Sequence, residues 1–351
     1  MKRPASAKEP IHGSRPAAST KSGVTIQALD QAAHQYTDAI RPTIEADGFS
    51  EAEQKLTSLN VAFHHDDLFL HVPPGLTVNQ PIRLVHLLSA AAQQALFPMT
   101  IIVVNAGSAL TLIDEYASLQ PSSGETPHLV NGRIELVLEK GASLHYVRLQ
   151  RWGQSAREFL LQRATLARGA TLTLANINLG AAVSKAHLVT KLTGEHASTK
   201  LCGFVFGHDR QHIDQHTLQD HRAPHTTSDL QFRAALQDQS RMIYTGLIRI
   251  AKQAAQTNAF QSNHNLMLSQ SAKAETIPML EILADDVQCK HAASIGPIDE
   301  EQTFYLMSRG IPRDHAQRLL AMGFIEPIIG QIPFEPLQQR LREEIEENLH
   351  E

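Results

Sequence analysis

Short strand-like runs of apolar residues dominate the chain from Asp66 onward. The first run, residues 67–72, alternates between apolar and polar residues and is followed by a Pro-Pro-Gly turn, and residues 81–89 and 100–105 form the second and third runs. Alternation with a period of two places the apolar side chains on one face of a β-strand. The pattern therefore predicts a body built from many short strands.

An internal repeat indicates how these strands are arranged. Residues 107–112, 141–146 and 169–174 share the order glycine, two small residues, leucine, any residue and an apolar residue, and Gly194 begins a degenerate fourth copy. Turn-plus-strand units that recur at about 20–50 residues are typical of solenoids and propellers, and these units are too short for propeller blades. We therefore predict a β-helix. A β-sandwich is the alternative, and Asn131-Gly132 is its one hairpin turn signal.

Helical patterns lie on both sides of the strand-rich body. Residues 1–24 predict a disordered tail, and residues 25–60 carry weak helical signals that are too short for a core of their own. From Asp299 the apolar period becomes that of a helix, with Asp299 as its N-cap and Gly310 as its stop signal. A second amphipathic helix follows. The charged residues 336–351 predict a last helix that is solvated or seated on a partner.

These patterns together predict a mainly β protein, a β-helix (β-solenoid) core with a short N-terminal helical segment and a C-terminal α-helical subdomain. We predict three parts. Residues 1–60 form a disordered tail and a short helical segment, residues 61–298 form the β-helix core, and residues 299–351 form a helical docking segment.

Composition and charge narrow the classes of function. The formal charge is −5 with both signs interspersed, and only 5% of residues are aromatic, which argues against a nucleic-acid groove. Cys202 and Cys289 are the two cysteines, so we expect a reducing, cytoplasmic location and no disulfide framework. No apolar run approaches the ~20 residues of a membrane span. The sequence also contains no phosphate-binding glycine loop, so we expect a protein that is not an enzyme by itself.

A run of histidines is the most conspicuous candidate for chemistry. On a helix, His208, His212 and His216 would share one face, as metal ligands require, and His221 and His225 follow them. The segment lies in strand-rich sequence without an apolar stripe, however. On a strand these side chains would instead form an exposed polar ladder, and that is the interpretation we favour over a metal site.

Cys289 and His291 are a more specific candidate for a metal site than the histidine run. At positions i and i+2 of a strand they share a face, so a thiolate and an imidazole could bind one soft metal ion or cluster. A small buried cysteine beside an exposed histidine is the alternative. His264 lies beside an apolar run and has no partner that the sequence reveals.

Paired carboxylates raise the alternative of a β-helix carbohydrate enzyme. The pairs are Asp66-Asp67, Asp285-Asp286 and Glu300-Glu301, and neighbours on a strand point to opposite faces. Glycosidase chemistry needs two carboxyl groups about 5–10 Å apart across a cleft, and such clefts usually also carry aromatic rings. With one tryptophan, Trp152, the sequence disfavours this function.

Three stretches, read in order, resemble one family. Residues 280–311 combine an acidic Ala-Asp-Asp-Val strand, a Cys-x-His and a helix that ends in Ser-Arg-Gly-Ile, and they resemble the C-terminal signature of the SufB/SufD family of iron–sulfur cluster assembly scaffolds. Residues 241–269 and 59–86 resemble the upstream segments of that family. The resemblance extends from about Leu59 to Ile329. Only about 60 residues precede the β body, fewer than is usual in the family.

Within the family the chain resembles SufD more than SufB. SufB subunits carry a cysteine where this chain has Asn263 or His264, and a glutamate near His291. The resemblance implies that His264 is the metal ligand given to a transient iron–sulfur cluster at a subunit interface, with Cys289 and His291 as secondary candidates. No cofactor would be tightly bound. A SufB-like protein that accepts persulfide sulfur on Cys202 or Cys289 is the alternative.

The resemblance also implies partners. A SufB-type subunit would pair with the β-helix edge, and a SufC-type ATPase would dock on the C-terminal helices. In isolation, the same edge could pair with a second copy of this chain. The residues implied in this dock are Phe304, Tyr305, Leu306, Arg309 and Gly310.

Overall fold

The structure, a computed structural model, describes residues 23–45, 51–65, 67–88, 95–119 and 127–349. The predicted tail at residues 1–22 therefore lies outside the described residues. The described chain is a β-solenoid of about seven turns in which successive strands alternate between two sheets. Every described strand pair is parallel except β1–β2, so the sandwich alternative is wrong. Asn131 and Gly132 lie inside a strand and form no hairpin turn.

Sheet A and sheet B are the two long sides of the coil. In spatial order, sheet A contains β1 (Thr25–Ala28), β2 (Leu68–Val72), β5 (Met99–Val104), β7 (His128–Leu138), β9 (Ala156–Leu166), β11 (Val183–Leu192), β13 (His212–His221), β15 (Arg241–Ile250) and β17 (Lys273–Ile282), with β4 (Ala95–Leu96) beside β7. In the same direction, sheet B contains β3 (Ile82–Leu88), β6 (Ala109–Ser118), β8 (Ser143–Arg151), β10 (Thr171–Asn178), β12 (Ser198–Gly207), β14 (Thr227–Leu236), β16 (Thr257–Met267) and β18 (Val287–Pro297).

Among the described residues, three helices precede the long strands of the coil and three follow them. They are α1 (Leu29–Gln35), α2 (Thr37–Glu45), α3 (Glu51–Phe63), α4 (Glu300–Ser308), α5 (Arg313–Ile329) and α6 (Glu335–Asn348). The predicted signals at α4 are confirmed, because the Asp299 side chain accepts from two backbone N–H groups of the first turn and Gly310 follows with a φ of 87°.

The repeated glycines form one corner of the coil. Gly107, Gly141 and Gly169 have φ values of 68°, 67° and 66°, which lie in the left-handed region that a glycine adopts without strain. The backbone N–H of each donates to a carbonyl of the following coil. The position after Gly169 in this column is His196, with a φ of 60°. Gly194 is a glycine for a different reason. The backbone of the preceding coil passes so close that a Cβ at Gly194 would lie 1.9 Å from the backbone nitrogen of Arg168.

The N-terminal helices cover the outer face of sheet A. Two buried arginines of β7 and β9, Arg133 and Arg163, reach past Glu135 to donate to the carbonyl of Thr43 near the end of α2, at 3.0 and 2.8 Å. Cations are favoured at the C-terminus of a helix, where the last carbonyls have no helical partners. These short helices therefore gain their core from the solenoid.

The C-terminal helices cover the outer face of sheet B. Leu337, Leu341 and Ile345 recur every four residues on α6 and are buried against that sheet together with Ile325 and Ile329 of α5. The prediction that the charged last helix is solvated or seated on a partner is therefore wrong. Its narrow apolar stripe packs against its own chain, and its charged residues face outward or pair with the sheet.

Candidate functional site

The C-terminal end of the coil is an open edge, which we define as the strands β17 and β18. Each of them pairs on one side only in the described structure, β17 with β15 and β18 with β16. Six large apolar side chains on or beside these strands are exposed: Ile277, Met279, Leu280, Ile282, Leu283 and Ile295. An edge strand has free N–H and C=O groups, and with exposed apolar side chains it is a template for pairing with another chain.

Cys289 and His291 lie on the open edge and share one face of β18, as their spacing predicts. Cys289 is in register with Ala259 of β16 and packs beside the buried Ile248 and Ile250, so this face points into the lumen of the solenoid. His291 is exposed. Burial raises the pKa of the Cys289 thiol, which makes it a poorer thiolate at neutral pH unless a cation stabilises it.

His264 lies on the opposite face of sheet B. It is one strand in from the edge, in register with Arg233 of β14 and Ser294 of β18. Its Nδ1 lies 2.7 Å from the hydroxyl of Ser294. Partial burial and the neighbouring guanidinium of Arg233 lower its pKa, so its neutral, ligand-competent form is favoured. Arg233 in turn donates to the carbonyl of Phe324 on α5 and stacks on that ring.

The three predicted ligands are thus near one edge but do not converge. Cys289 and His291 face the lumen, whereas His264 faces the side that carries α5. Across the part of the chain that the structure describes, no three His, Cys, Asp or Glu side chains are grouped so that they could hold a metal ion.

The histidine run does not form a site. His212 and His216 lie on β13 and alternate with buried residues, as the strand interpretation predicts. His216 pairs with Asp214 at 2.9 Å and stacks on His187. His221 departs from the predicted ladder, because it points inward and is fully buried.

The carboxylate pairs and the tryptophan give no support to a carbohydrate cleft. Asp285 and Asp286 lie in the turn between the last two strands, and the Glu300 pair begins α4. Asp66 lies outside the described residues. Trp152 is buried in the lumen, where its Nε1 donates to Glu158 at 2.8 Å, so it offers no platform for a sugar ring.

The sequence pattern did not reveal a network of polar groups inside the coil. Asp114 accepts hydrogen bonds from the hydroxyls of Tyr116 and Tyr146 at 2.7 and 2.6 Å and pairs with His86 at 2.8 Å. Burial opposes ionisation of Asp114, but these contacts lower its pKa overall. Alternation predicts which strand positions face inward, but it also predicts that the residues at those positions are apolar. It therefore does not predict a polar network there.

A second exposed apolar surface lies on α4. The Phe304 side chain is 72% exposed, and Tyr305 and Met307 are exposed beside it. Arg309 stacks over the ring of Tyr305 at 5.2 Å, and Gly310 ends the helix. Leu306 is half-buried. Four of the five predicted dock residues are therefore accessible to a partner.

The described chain is a β-solenoid whose own helices cover the outer faces of its two sheets and whose C-terminal end is the open edge. Comparison with known proteins identifies the group to which it belongs. The family described as "SUF system FeS cluster assembly, SufBD core domain" matches residues 86–324, and the "SufBD protein N-terminal region" matches residues 10–84. The chain belongs to the SufB/SufD family of iron–sulfur cluster assembly proteins.

Several curated relatives are similar over most of this chain. Identity is 29% to the iron–sulfur cluster assembly protein SufD of Bacillus subtilis and 26% to SufB of the same organism, over 92% and 89% of this chain. The alignments cover 74% and 66% of those two proteins. A SufBD family protein of Mycobacterium leprae is 27% identical over 76% of this chain, which spans only 30% of that relative. No helix in the described ranges is long and apolar enough to cross a membrane.

Proposed function

We propose that this chain is a SufD-like, non-catalytic scaffold that pairs through its open edge with a SufB-type subunit and carries a SufC-type ATPase on its C-terminal helices. The observation that carries the proposal is the open edge, two long strands with free backbone groups and six exposed apolar side chains. Burying such an edge satisfies the backbone groups and removes apolar surface from water.

The pairing is tested by one charged substitution at each end of the coil. Ile295→Lys places a charge on β18, and Leu87→Lys places the same charge on β3, the edge strand at the other end of sheet B. The two side chains are 46% and 56% exposed, so neither variant disrupts a core. We expect Ile295→Lys to abolish co-purification of the SufB-type subunit and Leu87→Lys to retain it. Equal binding by both variants would contradict pairing through this edge.

The bound cluster is cargo in this proposal, and His291 is the residue best placed to contribute a ligand. It is exposed on the edge strand itself, whereas His264 is one strand further in and contacts Ser294. Cys289 is half-buried beside His291 on the same face. Cluster delivery in cells should fall with His291→Ala and persist with His264→Ala, provided that both variants still assemble with the partners. Loss with His264→Ala alone would reverse the assignment.

The ATPase dock is proposed at the exposed face of α4. Deletion of residues 299–351 would not test it, because α5 and α6 cover an apolar face of sheet B and their removal would expose it. The double variant Phe304→Ala/Tyr305→Ala removes only exposed rings, and Leu319→Ala on α5 is a matched exposed control. We expect the double variant alone to lose capture of the ATPase. Retained capture would place the dock elsewhere.

A further inference from the structure

We propose that Gln261 is a positioning residue for His291. This side-chain carbonyl is unpaired in the described structure, and it accepts the N–H of the His291 ring when that exposed ring turns toward it. The hydrogen bond selects the ring nitrogen that is left for a ligand. The inference rests on the role proposed above for His291, and it adds a residue that contacts neither a partner nor a cluster.

The first observation is register. Gln261 on β16 and His291 on β18 are directly paired positions of neighbouring parallel strands. Both side chains point into the lumen, because the inward face of β16 alternates through Ala259 and Gln261 and the paired face of β18 alternates through Cys289 and His291. Neighbouring strands are about 4.8 Å apart, so two long side chains that leave the same face at the same level lie within contact distance.

The second observation is an acceptor without a donor. Gln261 is 1% exposed, and its Nε2 donates to the carbonyl of Gly246 across the lumen at 3.1 Å. Its Oε1 is buried and has no hydrogen-bond partner within the described structure. Leaving a buried carbonyl unpaired costs about 1–3 kcal/mol, so this oxygen is a strong candidate acceptor for a nearby donor.

The third observation is that the fold makes room for this amide. A Cβ at Gly246 would lie 2.8 Å from Gln261 Oε1 and 2.9 Å from the hydroxyl of Tyr244, so a side chain there would displace both groups. The Tyr244 hydroxyl is itself paired with Thr217 at 2.8 Å. The register places His291 on the same face as this free oxygen, so its ring N–H is a donor available to it.

The chemical consequence concerns the tautomer of His291. A neutral imidazole has one N–H and one lone pair, and the hydrogen bond of one nitrogen decides which nitrogen can bind a metal. Protein acceptors of this kind orient the ring, and their loss typically weakens metal binding about 10–100-fold. Gln261 would thus present the other nitrogen of His291 toward the open edge.

The test measures the tautomer directly on the full chain without iron or a partner. Long-range proton–nitrogen NMR at about pH 8, where an ordinary histidine is neutral, reports the tautomer ratio, and the His291 signals are identified by their loss in His291→Gln. Gln261→Met keeps the side-chain length and removes the acceptor. Asn265→Met is the matched control, because Asn265 is equally buried on the same face of β16 and also has an unpaired carbonyl oxygen, but it is in register with Ile295.

We expect Gln261→Met to change the His291 tautomer ratio about fivefold, which is the equilibrium effect of one net hydrogen bond, and Asn265→Met to leave it unchanged. Gln261→Glu retains an acceptor and should keep the wild-type tautomer ratio. This variant still tests the proposal if Gln261→Met does not fold. The proposal is overturned if the ratio is the same in wild type and Gln261→Met, if Asn265→Met changes it equally, or if Gln261→Glu loses the wild-type ratio. The cluster-delivery result for His291→Ala is independent of all three outcomes.

Discussion

A buried histidine makes the stability of the solenoid depend on pH. His221 is fully buried on the inward face of β13, and its two ring nitrogens each lie 2.8 Å from a hydroxyl, those of Thr226 and Ser228. Burial lowers the pKa of His221 from 6.5 to about 4. The folded state therefore holds the neutral ring, whereas the unfolded chain takes up a proton as soon as the pH falls below 6.5.

The magnitude follows from the pKa difference. Stability from the neutral ring is fully present above pH 6.5, falls as the pH decreases, and levels off below the folded pKa of about 4. A difference of about 2.5 pKa units corresponds to roughly 3 kcal/mol at most, and about 2 kcal/mol of this is lost between pH 7 and pH 5. In the variant His221→Gln, which keeps a donor and an acceptor but does not titrate, that loss should be missing.

Urea unfolding followed by circular dichroism at about pH 7, 6 and 5 measures this loss. The difference in unfolding free energy between wild type and His221→Gln should shrink by about 2 kcal/mol on going from pH 7 to pH 5. The matched control His225→Asn removes an exposed histidine from the following turn and keeps a residue that tolerates its φ of 57°. A difference that is constant with pH would refute the assignment of the effect to His221, as would an equal change in the control.

Three further outcomes are expected. Leu341→Ala should lower the unfolding free energy by about 2–4 kcal/mol in urea titrations, because it empties a buried position between α6 and sheet B; a loss under about 1 kcal/mol would mean that α6 is not seated there. Gly141→Ala should lower the unfolding free energy by about 1 kcal/mol because of its φ of 67°. Gly323→Ala, in open space on α5, should be neutral or stabilising. Equal effects of the two substitutions would contradict the claim that the corner of the coil requires a glycine. Hydrogen bonds from His216 and Lys185 overcome burial and lower the pKa of Asp214 to about 2, so the wild-type protein should lose unfolding free energy as the pH falls below about 4. In Asp214→Asn this part of the loss should be missing, and the same pH dependence in both proteins would refute the assignment.

The repeat predicted the fold because its physical cause is local. A corner that needs a positive φ selects glycine, and three such glycines at similar spacings are visible in the sequence. The later corners were not predictable in this way. His196, His225 and Gln256 occupy the same column with φ values near 60°, held there by hydrogen bonds to the next coil. The glycine signal therefore disappears although the geometry continues.

The candidate site was predictable only within one strand. The spacing of Cys289 and His291 is enough to place them on one face of β18. Their relation to His264 depends on the length of the coil between β16 and β18, which sets His264 opposite Ser294 and Gln261 opposite His291. A coil longer or shorter by one residue would reverse the faces. Coil lengths vary along this chain, so the sequence pattern alone could not supply that register.

The two ends of the coil also differ in their capacity to pair, and this limits how the chain can assemble. At the N-terminal end of the described structure, sheet A finishes with the four residues of β1, which run antiparallel to β2, and sheet B finishes with the seven residues of β3. At the open edge, β17 and β18 offer ten and eleven residues. Short edge strands are a common protection against pairing. Pairing between two long edges closes after two subunits, whereas pairing of a long edge with a short one would continue as a filament. The unequal ends therefore favour a closed pair, which is the arrangement that the proposed pairing through the open edge requires.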